Sequence, residues 1–151
     1  VPLFMVELLQ KCLKQPDPQP ELFYFMEDAF TELDAASPVV TANFPVFFAL
    51  HLSHFFGFRM QDTYSVQKSI LDLDEGLFVQ DFPVHPRWTG EPHSFLISQF
   101  LKAQHPDDTT DLKMRREERR KLLEICLQFY TLHNADFRHL KSLPVLQTIL
   151  D

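Results

Sequence analysis

Six basic residues fall within nine positions: Lys113, Arg115, Arg116, Arg119, Arg120 and Lys121. On a helix, Arg115/Arg119 and Arg116/Arg120 are like-charged neighbours four apart, mildly unfavourable without a counter-ion. Glu117 and Glu118 offset part of that charge, and Glu117 with Lys121 makes a favourable pair. Such a run reads either as a solvated helix face or as an anion site, where guanidinium groups grip phosphates or carboxylates. A second basic group, Arg138, His139 and Lys141, lies near the end of the chain. Ser142 and Pro144 read as the cap and first turn of a last helix. Lys141 therefore stands beside N–H groups that favour an anion. An anionic ligand suits such a spot; the plainer reading leaves Lys141 as surface decoration.

Catalytic chemistry finds little footing. Cys12 and Cys126 sit among leucine and isoleucine, which suits buried free thiols in a reducing compartment rather than a disulfide framework or a zinc site. Ser142 lacks a glycine-rich elbow. Asp107 and Asp108 read as a polar loop. His51 and His54 are three apart on an apolar segment, close enough to share a metal, and His85 and His93 with Asp72 or Asp74 would be needed to complete it. Satisfied structural histidines are the simpler reading. His133, at the end of the longest helical pattern, is placed to cap that helix's last carbonyls. No enzyme activity, cofactor or bound metal is expected.

The elements that would position these residues are mostly helical. The 151 residues are 45% hydrophobic and include sixteen phenylalanines, enough for the core of one domain spanning residues 1–151. Three glycines suit helices with few special turns, and eleven prolines mostly punctuate apolar segments. A net charge of −7 means that the chain as a whole is no obvious nucleic-acid binder. No signal peptide is visible, no apolar run is expected to reach the ~18 residues of a membrane span, and a cytoplasmic location follows. The chain opens on Val1-Pro2 rather than methionine, as a piece of a longer protein would.

Spacing predicts helices over residues 2–14, 21–33, 44–56, 93–103, 112–133 and 143–150. The alternating prolines of residues 15–20 end the first. Asn43 is expected to cap the third, with Pro45 in its first turn and Gly57 closing it. That helix is apolar on every side and belongs at the centre of a bundle. Residues 58–92 form an insert with a hairpin at Asp74-Glu75-Gly76 and an irregular approach through Trp88. The fold class is mainly α: a bundle of about six helices with a short β-hairpin and irregular insert between helices 3 and 4.

The order of these pieces carries a family resemblance. Leu8-Leu9 through Gln15-Pro16-Asp17-Pro18 to Leu22-Phe23, then Asn43-Phe44, Phe47-Phe48-Ala49-Leu50 and Phe56-Gly57-Phe58, resemble the opening and central helix of the C-terminal domain of RecO, the bacterial recombination mediator. Asp72-Leu73, Gly76 and Phe78 resemble its insert. Tyr130, His133, Leu140-Lys141-Ser142 and Leu146 resemble its close.

The resemblance implies a role in DNA repair and recombination. It implies partnership with RecR, with the acidic C-terminal tail of single-strand binding protein (SSB), and with single- and double-stranded DNA. The DNA would be held mainly by an N-terminal OB-fold that this sequence lacks. Arg115, Arg116, Arg119, Arg120, Arg138, His139 and Lys141 become the candidate contacts for DNA or the SSB tail. Many members carry a four-cysteine zinc site in the insert; residues 59–88 here contain no cysteine, so no zinc is expected. The insert should instead be held by Ile70, Leu73, Leu77, Phe78, Phe82 and Trp88. The competing reading is a helical interaction scaffold unrelated to DNA.

Overall fold

The computed structural model describes residues 1–14 and 18–150. Among them are six α-helices: α1 (Pro2–Cys12), α2 (Pro20–Asp34), α3 (Pro38–Leu52), α4 (His93–Lys102), α5 (Arg116–His133) and α6 (Leu143–Ile149). Three short strands, β1 (Ile70–Asp72), β2 (Leu77–Val79) and β3 (Trp88–Thr89), lie between α3 and α4. The proline joint expected to end the first helix falls partly outside the described residues.

The third helix, α3, is the axis. Val40, Phe44, Val46, Phe47, Phe48, Ala49, Leu50 and Leu52 are all buried, and α1, α2, α4 and α5 contact the helix. It begins earlier than Asn43. Ser37 is its cap, accepting from the Val40 N–H at 3.3 Å, and Pro38 fills the first turn. Pro45 therefore lies inside the helix, where its missing N–H forgoes one backbone bond. A short 3-10 turn (Ser53–Phe56) continues the helix to Gly57, whose φ of 79° is left-handed as expected. The continuous segment Pro38–Phe56 has 19 residues and a mean hydropathy of 1.4, long and apolar enough to cross a membrane by length and composition. This corrects the expectation that no run reaches that length. Most of the segment is buried among the other helices, as befits a core helix.

Two sets of polar contacts tie α3 to its surroundings. Tyr130 of α5, 1% exposed, donates its hydroxyl to the Ala49 carbonyl at 2.6 Å. Asn43, fully buried, donates to the carbonyls of Thr109 (3.1 Å) and Leu112 (3.2 Å) and accepts from Arg119 Nε (3.1 Å). Asn43 is thus a buried bridge rather than a cap.

The insert is a three-stranded antiparallel sheet in the order β2-β1-β3. The β1–β2 hairpin pairs Leu71 with Phe78, and Gly76 takes a φ of 68°. A Cβ there would stand 3.2 Å from the Arg59 carbonyl and 3.3 Å from the Phe129 ring, a tight fit added to the strain of a positive φ, so glycine is favoured. The third strand, paired through Asp72 and Trp88, had been read as irregular; two residues leave no periodicity to detect.

An ionic clasp closes the insert. His85 Nε2 lies 3.0 Å from Asp72 Oδ1 and 3.4 Å from Asp74 Oδ2, and Arg87 grips Asp74 through Nε (2.6 Å) and Nη2 (2.5 Å). Ile70, Leu73 and Phe78 are buried as expected and Leu77 partly so, but Phe82 is 70% exposed, its ring tilted against Trp88. Phe95 of α4 is 43% exposed and lies edge-on to Tyr64.

The last helices also differ in their ends. α5 starts at Arg116 because Glu118 Oε2 accepts the Arg115 N–H at 2.7 Å, so Lys113 and Arg115 precede the helix. His133 does not cap α5; it donates from Nε2 to the Leu73 carbonyl (2.8 Å) and stacks on Phe58, tying the insert to the bundle. Ser142 makes no side-chain cap. The cap comes from Glu7 of α1, whose two carboxylate oxygens accept the N–H groups of Lys141 and Ser142, each at 2.7 Å. Desolvation works against the Glu7 carboxylate, but hydrogen bonds from Ser142 and Lys141 and the charge of Lys11 hold its pKa below the ordinary 4.5.

Two outcomes follow. Tyr130→Phe leaves the buried Ala49 carbonyl without its partner and should cost about 1–3 kcal/mol, read as a lower urea midpoint at an unchanged m-value. Glu7 has a lowered folded pKa, so its contribution is present above about pH 4.5 and disappears as pH falls through the folded value. Glu7→Gln should therefore lower the melting temperature at pH 7 and make progressively less difference below pH 4.

Candidate functional site: an arginine-rimmed apolar cleft

On α5, residues 116, 119, 120 and 123 follow helical spacing and share one face. That face begins cationic, with Arg116, Arg119 and Arg120, and becomes apolar at the buried Leu123. It meets Ala42, Pro45 and Val46 of α3 and Leu146, Gln147 and Leu150 at the end of the chain, forming a narrow cleft with a largely apolar lining. Its cavity is only about 30 Å³, room for a water-sized group, so an incoming side chain has to widen it.

The arginines are held rather than loose. Asn43 fixes Arg119 through Nε, and Arg120 Nη2 reaches the Gln147 carbonyl at 3.4 Å. The first half of α5 is thus tied to the bundle rather than wholly solvated. Arg115, at the helix start, is exposed and does not line the cleft. Lys121 lies 3.9 Å from Glu124 rather than pairing with Glu117, and both partners are more than half exposed, so that pair adds little.

The other candidates lie apart from this cleft. Arg138 and His139 border a groove with Leu127, Phe137, Leu140 and Leu143. There Arg138 Nη1 donates to the carbonyls of Ala135 (2.9 Å) and Phe137 (3.3 Å), so its guanidinium serves the loop before α6. Lys141 lines a third depression with Leu3, Val6 and Lys11. The N–H groups beside it, read as an anion site, are already occupied by Glu7.

No nucleophile stands ready among the described residues considered for catalysis. Burial pushes the Cys12 thiol up to about 12 and the Cys126 thiol higher still, far from a reactive thiolate. His54 is pulled down to about 4 by burial and by the neighbouring His51 and Arg59. Burial also lowers His51, whose Nε2 donates to the Phe100 carbonyl at 3.2 Å. The Asp72, Asp74 and His85 trio is closed by Arg87, and no group of three or more His, Cys, Asp or Glu among the described residues is placed to hold a metal.

Spacing showed the basic run. It did not reveal the partners that turn three of its arginines into a cleft rim: Asn43 is 76 residues away from Arg119 in the chain, and a lone asparagine in an apolar segment reads as a cap.

Comparison with known proteins agrees with this architecture. Residues 2–71 match the family described as Recombination protein O C terminal. The chain is 27% identical over 149 residues to the DNA repair protein RecO of Azobacteroides pseudotrichonymphae, covering 99% of the chain and 61% of that protein. It is 29% identical over 147 residues to that of Christiangramia forsetii (97% and 59%) and 28% identical over 153 residues to that of Porphyromonas gingivalis (100% and 62%). The chain therefore spans about three fifths of the length of the curated relatives it matches. No solved structure matches it. The family match over residues 2–71 and the similarity of nearly the whole chain to these proteins make it similar to the C-terminal part of RecO proteins.

Proposed function

We propose that the chain is the partner-binding domain of a cytoplasmic DNA repair protein that acts in recombination as a mediator rather than as an enzyme. Its arginine-rimmed cleft takes the acidic C-terminal tail of SSB. The observation that carries this reading is the convergence of Arg116, Arg119 and Arg120 over an apolar floor, in a chain whose net charge is −7. A tail that ends in an aromatic side chain and a carboxylate matches both parts. The ring enters between Val46, Leu123 and Leu146, and the tail's carboxylates meet the guanidinium groups, which bind them bidentately.

The mechanism is non-covalent. Capturing the tail concentrates this domain on coated single strands, RecR joins the assembly, and single- and double-stranded DNA is engaged mainly by an OB-fold outside this chain.

Because the rim is partly exposed, attraction between tail and cleft is screened by salt. A fluorescein-labelled peptide ending in Asp and Phe should bind at low salt and bind more weakly at 0.5 M NaCl. Arg116→Glu with Arg120→Glu should weaken it at least tenfold while the far-UV spectrum stays unchanged. Absence of binding at low salt, or equal binding by the double variant, would remove this reading.

A further inference from the structure

A second surface is built with the opposite chemistry. α2 buries Leu22, Met26 and Ala29 against the bundle, yet it turns two large aromatic side chains outward. Phe23 is 64% exposed and Tyr24 63%, their rings meeting edge-on at 5.8 Å. One exposed aromatic residue is ordinary; two side by side on a regular helix form a patch that the core does not need.

Each ring has a carboxylate one helical turn further on: Glu27 after Phe23, and Asp28 after Tyr24, both exposed. Residues four apart share a helix face. Glu21, Glu27 and Asp28 make no ion pair with any described residue, whereas Glu32 on the same helix faces His105 at 3.1 Å. No lysine or arginine occurs between Lys14 and Arg59, so nothing in that stretch neutralises the patch.

An aromatic face with a carboxylate beside it is a receptor for a guanidinium group. The planar cation stacks on the ring and donates a pair of hydrogen bonds to the carboxylate; an ammonium ion meets that geometry less well. We propose that the outer face of α2, Phe23/Glu27 and Tyr24/Asp28, docks an arginine-bearing basic segment of a partner protein. The charge decides against the other large classes of ligand, because phosphate backbones and anionic membranes are repelled by a wholly acidic helix face. This surface is independent of the cleft on α5 and does not rest on the tail-binding reading.

The test is an NMR titration of the ¹⁵N-labelled protein with the capped peptide Arg-Leu-Arg-Arg and with its lysine counterpart. Saturable shifts should concentrate in residues 21–28, with the lysine peptide at least threefold weaker. Phe23→Ala with Tyr24→Ala, and separately Glu27→Gln with Asp28→Asn, should each weaken the arginine peptide at least tenfold; all four side chains are exposed, so thermal melts should not move. Shifts centred elsewhere, equal affinity for the two peptides, or binding that survives both double variants would overturn the proposal. So would concentration-dependent self-association abolished by the same substitutions, since a second copy of the chain would then be the occupant.

Discussion

An apolar helix with no polar side must be covered on every side, and α3 imposes that constraint on the rest of the bundle. Ten of its fifteen residues are buried, so α1, α2, α4 and α5 are arranged around it. Covering it creates a polar problem as well, since a buried donor or acceptor left unmade costs about 1–3 kcal/mol. The solution is local and specific. Asn43 uses its amide to hold the loop carbonyls of Thr109 and Leu112 and its oxygen to hold Arg119. The same contact that satisfies the core therefore positions a guanidinium group at the surface. The candidate site is in this sense a by-product of packing α3: its floor is the outer side of α3's second and third turns, and its rim is the start of the helix that covers them.

The insert shows a different balance. Only eight residues lie in its strands, too small a sheet to hold itself by burial alone. It is fastened to the bundle by the bond from His133 to Leu73 and by Phe58 against Phe129 and Tyr130, and to itself by the Asp72, Asp74, His85 and Arg87 clasp. Asp72 also accepts the N–H groups of Asp74 and Glu75, so one buried carboxylate organises both the hairpin turn and the clasp. Arg87 is the largest influence on Asp74, drawing its pKa below the ordinary carboxylate value through a charged hydrogen bond. A charge network here does what cysteine ligands would do around a metal.

Much of this was legible from spacing. The apolar stripes of α2 and α4, the all-apolar α3, the hairpin at Gly76 and the stop at Gly57 follow directly from periodicity and from residues that tolerate positive φ. What spacing hides is any contact made across the chain. Ser142 has the right residue type for a cap, yet Glu7 supplies the cap from 135 residues away. Asn43 reads as a helix start because its partners lie 66 to 76 residues downstream. Phe82 reads as core because phenylalanine usually is, yet it stays at the surface with its ring against Trp88. The candidate site was legible as a charge run and illegible as a cleft for the same reason.

The molecule thus separates its charges. Arginines gather where α5 meets α3 and α6, and carboxylates gather on the outside of α2. On the two proposed readings, an acidic tail and a basic segment fall on different surfaces and do not compete. The most direct test of the central claim is a structure of this domain bound to the Asp/Phe-ending tail peptide. The terminal ring should lie among Val46, Leu123 and Leu146, with a carboxylate within hydrogen-bond reach of Arg119. A ring seated instead against Leu127, Leu140 and Leu143, beside Arg138 and His139, would contradict the account.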